Sequence, residues 1–215
     1  MSPERRKFKR ASAEERKEAL IEATLELVAE KGVRGATVRD IAERADVTQG
    51  LIRHYFSSKE ELMTAAYEHH MVRITDLTSA PLKEISADAS GRLAAFVSAS
   101  LRPPVMEPTA VALWAGFLNK VQQDAHMRQI HQRTYDYFRH KLAEIIAAAL
   151  EEAGRPASPA RLHHLAVACN AVIDGLWMEG GALPEIFAED ELPKIGLESV
   201  GAILGLNLEN KVDQP

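Results

Sequence analysis

The stretch from residue 36 to residue 62, ATVRDIAERADVTQGLIRHYFSSKEEL, constrains the fold of this chain more than any other. Apolar residues recur in its first part at i, i+3, i+4 and i+7, which places them on one side of a short helix. These residues are Val38, Ile41, Ala42 and Ala45. Thr37 is a favourable N-cap, and Asp40 follows three residues later, where a capping-box acid belongs. We predict a helix of about two turns.

A second short helix is predicted from residue 49 to residue 55, with Thr48 as its N-cap. Ile52 would face inward, and Phe56 would follow just past the end. The outer side would show Thr48, Gln49, Leu51, Arg53 and His54. Gly50 costs this helix about 1 kcal/mol relative to alanine. The simplest reason for accepting that cost is that something bulky must approach the backbone there.

Two short helices joined by a tight turn, the second polar on its outer side, are typical of a helix-turn-helix that reads DNA. Residues 37–62 resemble the N-terminal signature of the TetR family of transcriptional repressors, and the Y-F-x-x-K-E-x-L segment that begins at Tyr55 makes the match specific. The family usually has Gly where this chain has Asp46, a residue that can also adopt a left-handed conformation. Arg53 replaces a family Tyr that contacts phosphate, and it can keep that role through its charge.

The resemblance implies an all-α protein with two domains. Residues 1–57 would form an N-terminal helix-turn-helix DNA-binding three-helix domain with a basic arm, and residues 58–215 a C-terminal helical-bundle domain for ligand binding and dimerisation. The implied function is that of a sequence-specific DNA-binding transcriptional regulator, a repressor released from its double-stranded DNA operator by a small-molecule effector. Two heads would bind half-sites about one helical turn, roughly 34–36 Å, apart.

The same resemblance assigns roles in the DNA-binding domain. Arg39, Thr48, Gln49, Leu51, Arg53 and His54 would face DNA, Gly50 would let the backbone approach, and Thr37, Tyr55 and Lys59 would hold phosphates. Gln49 and Arg53 could read base edges in the major groove. Lys59 stands in the first turn of a predicted helix, where the helix dipole disfavours a cation, so a bound phosphate is a natural partner. An ordinary exposed lysine is the alternative.

Charge is unevenly distributed along the chain. The first 62 residues carry 13 Lys/Arg against 12 Asp/Glu, whereas the whole chain carries 26 against 31, so the acidic excess lies beyond residue 62. This balance fits a protein in which one end meets a polyanion. Residues 1–11 are basic, and they would form either a solvated tail or an arm that contacts phosphates or a minor groove. The two interpretations are compatible.

Composition favours a cytoplasmic protein. The chain has one cysteine, Cys169, which excludes an internal disulfide framework and fits a reducing compartment. The longest apolar run covers residues 145–150, far short of the roughly 18 residues that span a bilayer. No apolar segment follows the basic N-terminus, so we expect neither a secretory signal nor a membrane partner.

Helical periodicity continues through the rest of the chain. The first helix is predicted to begin after Ser12, with Glu15 completing a capping box, and to stop at Gly32. Further helices are predicted over residues 59–77, 91–101, 108–123, 126–153, 159–181 and 189–206. The pair Gly180 and Gly181 is expected to end the sixth of these seven helices.

Two of the last helices are apolar on more than one side. Their apolar residues are Val167, Ala168, Ala171, Val172, Gly175 and Leu176 in one, and Ile195, Leu197, Val200, Ile203, Leu204 and Leu206 in the other. A helix that is apolar over most of its surface must be covered by more than one neighbour. Residues 154–207 therefore predict a two-fold homodimer interface built as a four-helix bundle. A core within one chain is the alternative.

The segments ALWAGF at 112–117 and AVIDGLW at 171–177 resemble the C-terminal domain of the BetI-like branch of the TetR family, which includes choline-responsive repressors. The resemblance implies an effector pocket walled by Trp114, Phe117, Tyr135, Phe138 and Trp177, with Asn170 and Asp174 as polar anchors. Aromatic faces and one carboxylate suit a quaternary ammonium, or more generally a cationic or aromatic compound. Aromatic residues at helical spacing are also typical of a core, and Asp174 could instead cap its helix or bond across the dimer.

An enzyme is not expected. The sequence contains no Gly-rich phosphate loop, HExxH or GxSxG motif, and Cys169 does not form a persuasive dyad with His163 or His164. His69 and His70 lack an i, i+4 histidine pair, so helical surface is preferred to a metal site, and no metal or cofactor is expected. The alternative function is a helical protein-interaction module with a structural helix-turn-helix.

Overall fold

The computed structural model describes residues 12–83 and 88–209, and every regular element within them is helical, which confirms the all-α fold class. The α-helices are α1 (Ala13–Gly35), α2 (Val38–Arg44), α3 (Gln49–Tyr55), α4 (Lys59–Ser79), α5 (Ala89–Ser100), α6 (Pro108–Gln123), α7 (Ala125–Glu152), α8 (Pro159–Ala182) and α9 (Glu191–Leu204). Short 3₁₀ helices span Ala80–Lys83 and Pro184–Ile186. The basic arm expected at residues 1–11 lies outside the described residues.

The chain divides into two compact units, Met1–Ala66 and Tyr67–Pro215. In the first unit, α1 begins with the predicted capping box, because the Ser12 amide donates to Glu15 Oε2 at 2.5 Å and the Glu15 amide donates to Ser12 Oγ at 3.1 Å. Gly32 interrupts the regular helix with a φ of 71°, a left-handed conformation that glycine adopts without a Cβ clash. One more turn then continues to Gly35.

Helix α2 is held against α1 by its apolar side and by one arginine. Ile41 is fully buried, and Ala42 beside it is nearly so. Arg44 donates to Glu26 Oε2 and to Glu30 Oε1, both at 2.9 Å, and its second nitrogen donates to Glu30 Oε2 at 2.8 Å. Ion pairs this exposed contribute little to stability, so they orient α2 more than they stabilise the unit.

Helix α5 lies at the centre of the second unit and packs against α7 and α9. Leu93, Phe96 and Val97 on α5 are fully buried, and such aliphatic and aromatic side chains each contribute about 1.5–3 kcal/mol by leaving water. The first amides of α5 are satisfied from outside the helix. Asp88 Oδ1 accepts from Gly91, and the Glu152 carboxylate at the end of α7 accepts from Ala89 and Ser90.

Helix α8 ends one residue past its two glycines, close to the end predicted from the sequence. The helix runs through Gly180 and Gly181 to Ala182, and both glycines are buried. A Cβ at Gly180 would stand 2.3 Å from Leu192 Cδ1, and one at Gly181 would stand 2.2 Å from Val111 Cγ2. Glycine is therefore used here to let α6 and α9 pack closely against α8.

The predicted apolar stripes of α8 and α9 have different surroundings. Leu197, Val200 and Leu204 on α9 lie in the core of their own chain, as the alternative interpretation expected. On α8, Val167 is 38% exposed and Ala171 is also exposed. Only part of the predicted apolar stripe on α8, around Val167 and Ala171, therefore faces outward. Among the described residues, no helix is both long and apolar enough to cross a membrane.

Candidate functional site

The turn between α2 and α3 sets the direction of α3. Asp46 has a φ of 52°, the left-handed conformation that the sequence required of it. The Val47 amide donates to the Ala42 carbonyl at 2.9 Å and closes the turn. Thr48 occupies the N-cap position of α3, but its side chain makes no capping hydrogen bond, contrary to prediction. Its hydroxyl group is therefore free to bind a group outside the unit.

Helix α3 has one buried and one exposed side, as predicted. Ile52 is 2% exposed and Phe56, just past the end of the helix, is 3% exposed, so these two residues anchor α3 in the first unit. Leu51 and Tyr55 are half-buried. The exposed residues are Thr48, Gln49, Gly50, Arg53 and His54. The His54 and Tyr55 rings meet edge to face with centroids 5.1 Å apart, which orders the C-terminal end of this side.

The backbone of Gly50 is open to the outside. A Cβ added at Gly50 would meet only Thr48 Oγ1 at 3.8 Å, which is an ordinary van der Waals contact. The φ of Gly50 is not positive, so neither packing nor backbone strain within the unit requires glycine there. No contact or backbone conformation within the described residues therefore explains why position 50 is glycine.

Cations near α3 fall into two groups. Arg44 is tied to Glu26 and Glu30 and therefore has a structural role. Arg39 and Arg53 are exposed, and neither forms an ion pair with any residue in the described ranges. Lys59 is half-buried, with its Nζ 3.5 Å from the Val33 carbonyl oxygen. Two arginines and one weakly held lysine are thus available to a polyanion.

Thr37 differs from Thr48 in that its side chain does cap its helix. Its Oγ1 accepts from the Asp40 amide at 3.2 Å, and the hydroxyl proton remains free to donate outward. The hydrogen bond with Thr37 is the main cause that lowers the pKa of Asp40, which also pairs with Lys31 at 3.5 Å. Thr37 is exposed, so a phosphate oxygen could accept its proton.

The second unit contains a small, partly open cavity, in which the centre of a water molecule could move through about 50 Å³. Six of the seven predicted effector residues line it: Trp114, Tyr135, Phe138, Asn170, Asp174 and Trp177. The Trp114 Nε1–H donates to Tyr135 Oη at 3.1 Å, and the Trp177 Nε1–H donates to the Val105 carbonyl at 2.9 Å. The two indole rings meet edge to face with centroids 6.1 Å apart.

Phe117 does not line the cavity, which corrects the seventh assignment. It is fully buried, and its ring packs against Tyr67 with centroids 5.1 Å apart. Phe117 lies about one turn after Trp114 on α6, and this step places the Phe117 side chain in the core rather than in the cavity wall. The aromatic pattern in the sequence does not distinguish these two environments.

One wall of the cavity was missed by sequence reasoning. Helix α4 contributes His70, Met71, Ile74, Thr75 and Thr78. His70 was expected on the helix surface, but it is only 7% exposed. The last four residues of the set recur at i, i+3, i+4 and i+7, a stripe that would have predicted an inward-facing side of α4. Ser100, Val105, Thr134 and Ile173 complete the lining.

The polar groups of the cavity have shifted ionisation. Burial raises the pKa of Asp174 to about 6, although the Asn170 side chain donates to Asp174 Oδ2 at 2.9 Å and Arg139 acts in the opposite direction. Burial lowers the pKa of His70 to about 4, so its imidazole is neutral at neutral pH. Burial also raises the pKa of Tyr135 to about 12. Asp174 is therefore the acidic group of the cavity, and its carboxyl group changes protonation at a pH of about 6.

The arrangement offers binding groups rather than catalytic ones. Burial raises the pKa of Cys169 to about 11, so its thiol is protonated and a poor nucleophile. Within the described ranges, no group of three or more His, Cys, Asp or Glu side chains could hold a metal ion.

A helix-turn-helix with a polar, accessible second helix, joined to a helical unit with a cavity, defines a DNA-binding regulator. Residues 20–66 match the model of bacterial regulatory proteins of the tetR family, and residues 89–205 match the model described as BetI-type transcriptional repressor, C-terminal. The chain therefore belongs to the TetR family of transcriptional regulators, in its BetI-type branch. It is a regulator rather than an enzyme, and the protein-interaction alternative is not favoured.

Relatives support the same conclusion. The transcriptional regulator BetI of Burkholderia thailandensis is 28% identical over 166 residues, which are 77% of this chain and 81% of that protein. BetI of Paraburkholderia phytofirmans is 26% identical over 189 residues, 88% of this chain and 93% of that protein.

Solved structures share the fold. A transcriptional regulator from Pseudomonas aeruginosa superposes with a TM-score of 0.81 at 30% identity, covering 93% of this chain and 95% of that chain. A regulator from Saccharomonospora viridis, solved in complex with choline, has a TM-score of 0.71 at 21% identity, covering 86% of this chain and 95% of that chain. The second likeness concerns the fold alone.

Proposed function

We propose that this regulator acts in the cytoplasm as a homodimeric repressor that leaves its operator when a small molecule occupies the cavity. The observation that carries the proposal is the course of α4, which starts at Lys59 directly after the helix-turn-helix and supplies one wall of the cavity from His70 onward. A ligand that contacts α4 can favour one arrangement of this helix over another. The lone cysteine, Cys169, is consistent with a reducing compartment.

DNA recognition is assigned to the accessible side of α3 and its surroundings. Gln49 and Arg53 read base edges in the major groove, with Leu51 and His54 beside them. Thr37, Arg39, Thr48, Tyr55 and Lys59 bind the phosphate backbone and position the head. The open backbone at Gly50 supports this assignment, because it lets DNA come close without displacing any side chain.

Dimerisation is assigned to the exposed face of α8. Val167 and Met178 are each 38% exposed there, Ala171 lies between them, and a Cβ at Gly175 would meet nothing within 4 Å. Small and apolar residues on one helix face permit close approach of the same face in a second chain. Helix α9 would contribute from its half-buried Ile195 and Ile203. A two-fold dimer would present two heads to half-sites about 34–36 Å apart.

The effector is assigned to the cavity of the second unit. The Saccharomonospora viridis regulator was solved with choline, and the aromatic walls with Asp174 are chemically suited to an organic cation. Release from DNA requires that the ligand bind the two head arrangements with different affinity, since a ligand with equal affinity for both shifts nothing. We infer that ligand contact with α4 provides this difference.

Fluorescence anisotropy with DNA selected from a random pool tests the DNA assignment. Arg53→Ala combined with Lys59→Ala should weaken binding and reduce the slope of log affinity against log salt by about one per lost phosphate contact. Lys83→Ala combined with Arg133→Ala removes two cations from the second unit and serves as the matched control. Equal affinity and equal salt dependence for both double variants would contradict the assignment.

A further inference from the structure

The threonine and serine hydroxyls of the cavity lining already donate hydrogen bonds within their own helices. Each of the four threonine and serine hydroxyls in the lining donates to a carbonyl of its own helix at 2.9–3.1 Å. They are Thr75, Thr78, Ser100 and Thr134. Both indole N–H groups are also used, on Tyr135 and on the Val105 carbonyl. These side chains therefore face the cavity as hydrogen-bond acceptors or as apolar surface.

Two further acceptors lack a partner. The His70 ring is hydrogen-bonded to the backbone of Ala110, and His70 Nε2 is buried without a protein partner. Because the Ala110 amide donates to the Glu107 carbonyl, the bond from His70 is a donation from Nδ1 to the Ala110 carbonyl, and Nε2 carries a free lone pair. Asn170 donates its amide N–H to Asp174, which leaves Asn170 Oδ1 buried and unpartnered. His70 and Asn170 are only 7% and 6% exposed.

The carboxylate of Asp174 completes the set. Among the residues that the structure describes, it has no ion-pair partner, and nearby Arg139 instead bonds to Asp136 at 2.6 Å. The cavity thus combines one negative charge with two unpartnered acceptors. Within the described lining, the hydroxyl proton of Tyr135 and the second amide N–H of Asn170 have no assigned acceptor. The described lining residues include no Lys or Arg, and His70 is neutral at neutral pH, so an anion would meet this negative charge with no cation in the cavity wall.

We propose that the effector is a protonated primary or secondary amine on an apolar or aromatic body, whose N–H groups bind Asp174 and the unpartnered acceptors of His70 and Asn170. This inference rests on the proposed function, since it names the ligand class of the same cavity. A quaternary ammonium carries the charge and suits the aromatic walls, but its nitrogen has no N–H to donate. It would leave His70 Nε2 and Asn170 Oδ1 without a partner, which is unfavourable in a buried site.

Tryptophan emission measures the binding directly, because Trp114 and Trp177 are the chain's two tryptophans and both line the cavity. The full chain is titrated with butylamine, cyclohexylmethylamine and 2-phenylethylamine, each beside its N,N,N-trimethyl derivative and the corresponding alcohol. For at least one body, the amine should bind about tenfold more tightly than either matched compound. Trimethyl derivatives that bind as tightly as the amines, or no response to any amine, would overturn the proposal.

Variants separate the two recognition elements. Asp174→Asn keeps the side-chain shape and should weaken binding of both the amine and its trimethyl derivative. His70→Phe removes the acceptor and should weaken binding of the amine alone. The ratio of the dissociation constant of the trimethyl derivative to that of the amine should therefore fall towards one. Glu144→Gln removes an exposed carboxyl of α7 and serves as the control. An unchanged preference in His70→Phe would contradict the assigned role of Nε2.

The outcomes distinguish this inference from the proposed function. If an amine binds but leaves DNA affinity unchanged, the ligand class stands and the release mechanism fails. If a compound without N–H donors releases the protein from DNA and no amine binds, the release mechanism stands and the ligand class fails.

Discussion

Tyr67 and His131 are joined by a hydrogen bond of 2.6 Å between Tyr67 Oη and His131 Nδ1, which connects α4 to α7 beside the cavity. Burial raises the pKa of the Tyr67 phenol and lowers the pKa of the His131 imidazole, so the phenol donates and the neutral ring accepts at neutral pH. The His131 ring in turn packs on Tyr135, a cavity wall, with centroids 4.5 Å apart. Neither Tyr67 nor His131 lines the cavity itself.

Tyr67→Phe should therefore separate ligand binding from DNA release. The variant keeps the ring and its packing, so ligand affinity measured by tryptophan emission should stay unchanged. Loss of the hydrogen bond should lower the free energy of unfolding by about 1 kcal/mol and reduce the effect of ligand on DNA affinity. Tyr137→Phe is the matched control, because the exposed Tyr137 also joins α7 to α4 through Asp76. If the effect of ligand on DNA affinity falls equally in both variants, Tyr67 has no special role.

Gly50→Ala should improve the fold while impairing DNA binding. The added Cβ meets only Thr48 Oγ1 at 3.8 Å, and alanine is favoured over glycine in a helix by about 1 kcal/mol. The thermal midpoint should therefore rise or stay level. DNA affinity should fall, because the added methyl group occupies space assigned to DNA. Thr109→Ala, at an exposed position of α6, tests whether added helix propensity alone affects DNA binding.

The helix-turn-helix was the part of the fold that the sequence predicted best. Residues 37–62 predicted α2, α3 and the left-handed turn at Asp46, because caps, turn residues and apolar spacing are all local signals. The end of α8 at Gly180 and Gly181 was predicted to within one residue. The close approach of Val111 to Gly181 was not predicted, because it is a long-range contact that no local pattern records.

The cavity was predicted less completely for the same reason. Six residues were found through their chemistry, whereas the wall formed by α4 depends on which side of a continuous helix faces α7 and α8. Phe117 was assigned to the wall because it is aromatic, and the structure places it one helical turn away, against Tyr67. Chemistry identifies the residue types that a pocket needs, but packing decides which of them line it.

Amine binding should depend on pH through Asp174. Its pKa is raised to about 6 by burial, so the free protein holds a neutral carboxyl below that pH, whereas the unfolded chain titrates near 3.8. A bound cation favours the carboxylate, and amine affinity should therefore rise as the pH increases through about 6. The neighbouring charged or titratable groups are Arg139 and Tyr135, and Tyr135 stays protonated across this range. Asp174→Asn should abolish the dependence.

Stability should respond to the same groups in opposite directions. Between 3.8 and about 6 the folded chain retains a proton on Asp174 that the unfolded chain has lost, so this contribution to stability falls as the pH rises. His70, with a pKa lowered to about 4 from 6.5, contributes stability that is lost as the pH falls through that interval. Asp174→Asn should therefore make the free energy of unfolding rise more steeply with pH. An unchanged slope would contradict the assigned pKa shift.

A charge on the exposed face of α8 should dissociate the dimer. Ala171→Glu places a carboxylate between Val167 and Met178, and in a two-fold interface the same charge would be buried on both chains without a partner. Sedimentation should show a smaller species with unchanged helix content. Ala160→Glu adds the same charge near the start of α8 and should leave the assembly intact. A variant Ala171→Glu with wild-type sedimentation would place the interface elsewhere.

Thermodynamic linkage tests the central claim most directly, because a ligand that weakens DNA binding must itself be bound more weakly in the presence of DNA, by the same factor. The measurement is ligand affinity, read from tryptophan emission, with and without saturating selected DNA. We predict weaker ligand binding on DNA, by a factor equal to the ligand-induced loss of DNA affinity and of about 5- to 150-fold. Equal ligand affinity in the two conditions would contradict an effector-released repressor.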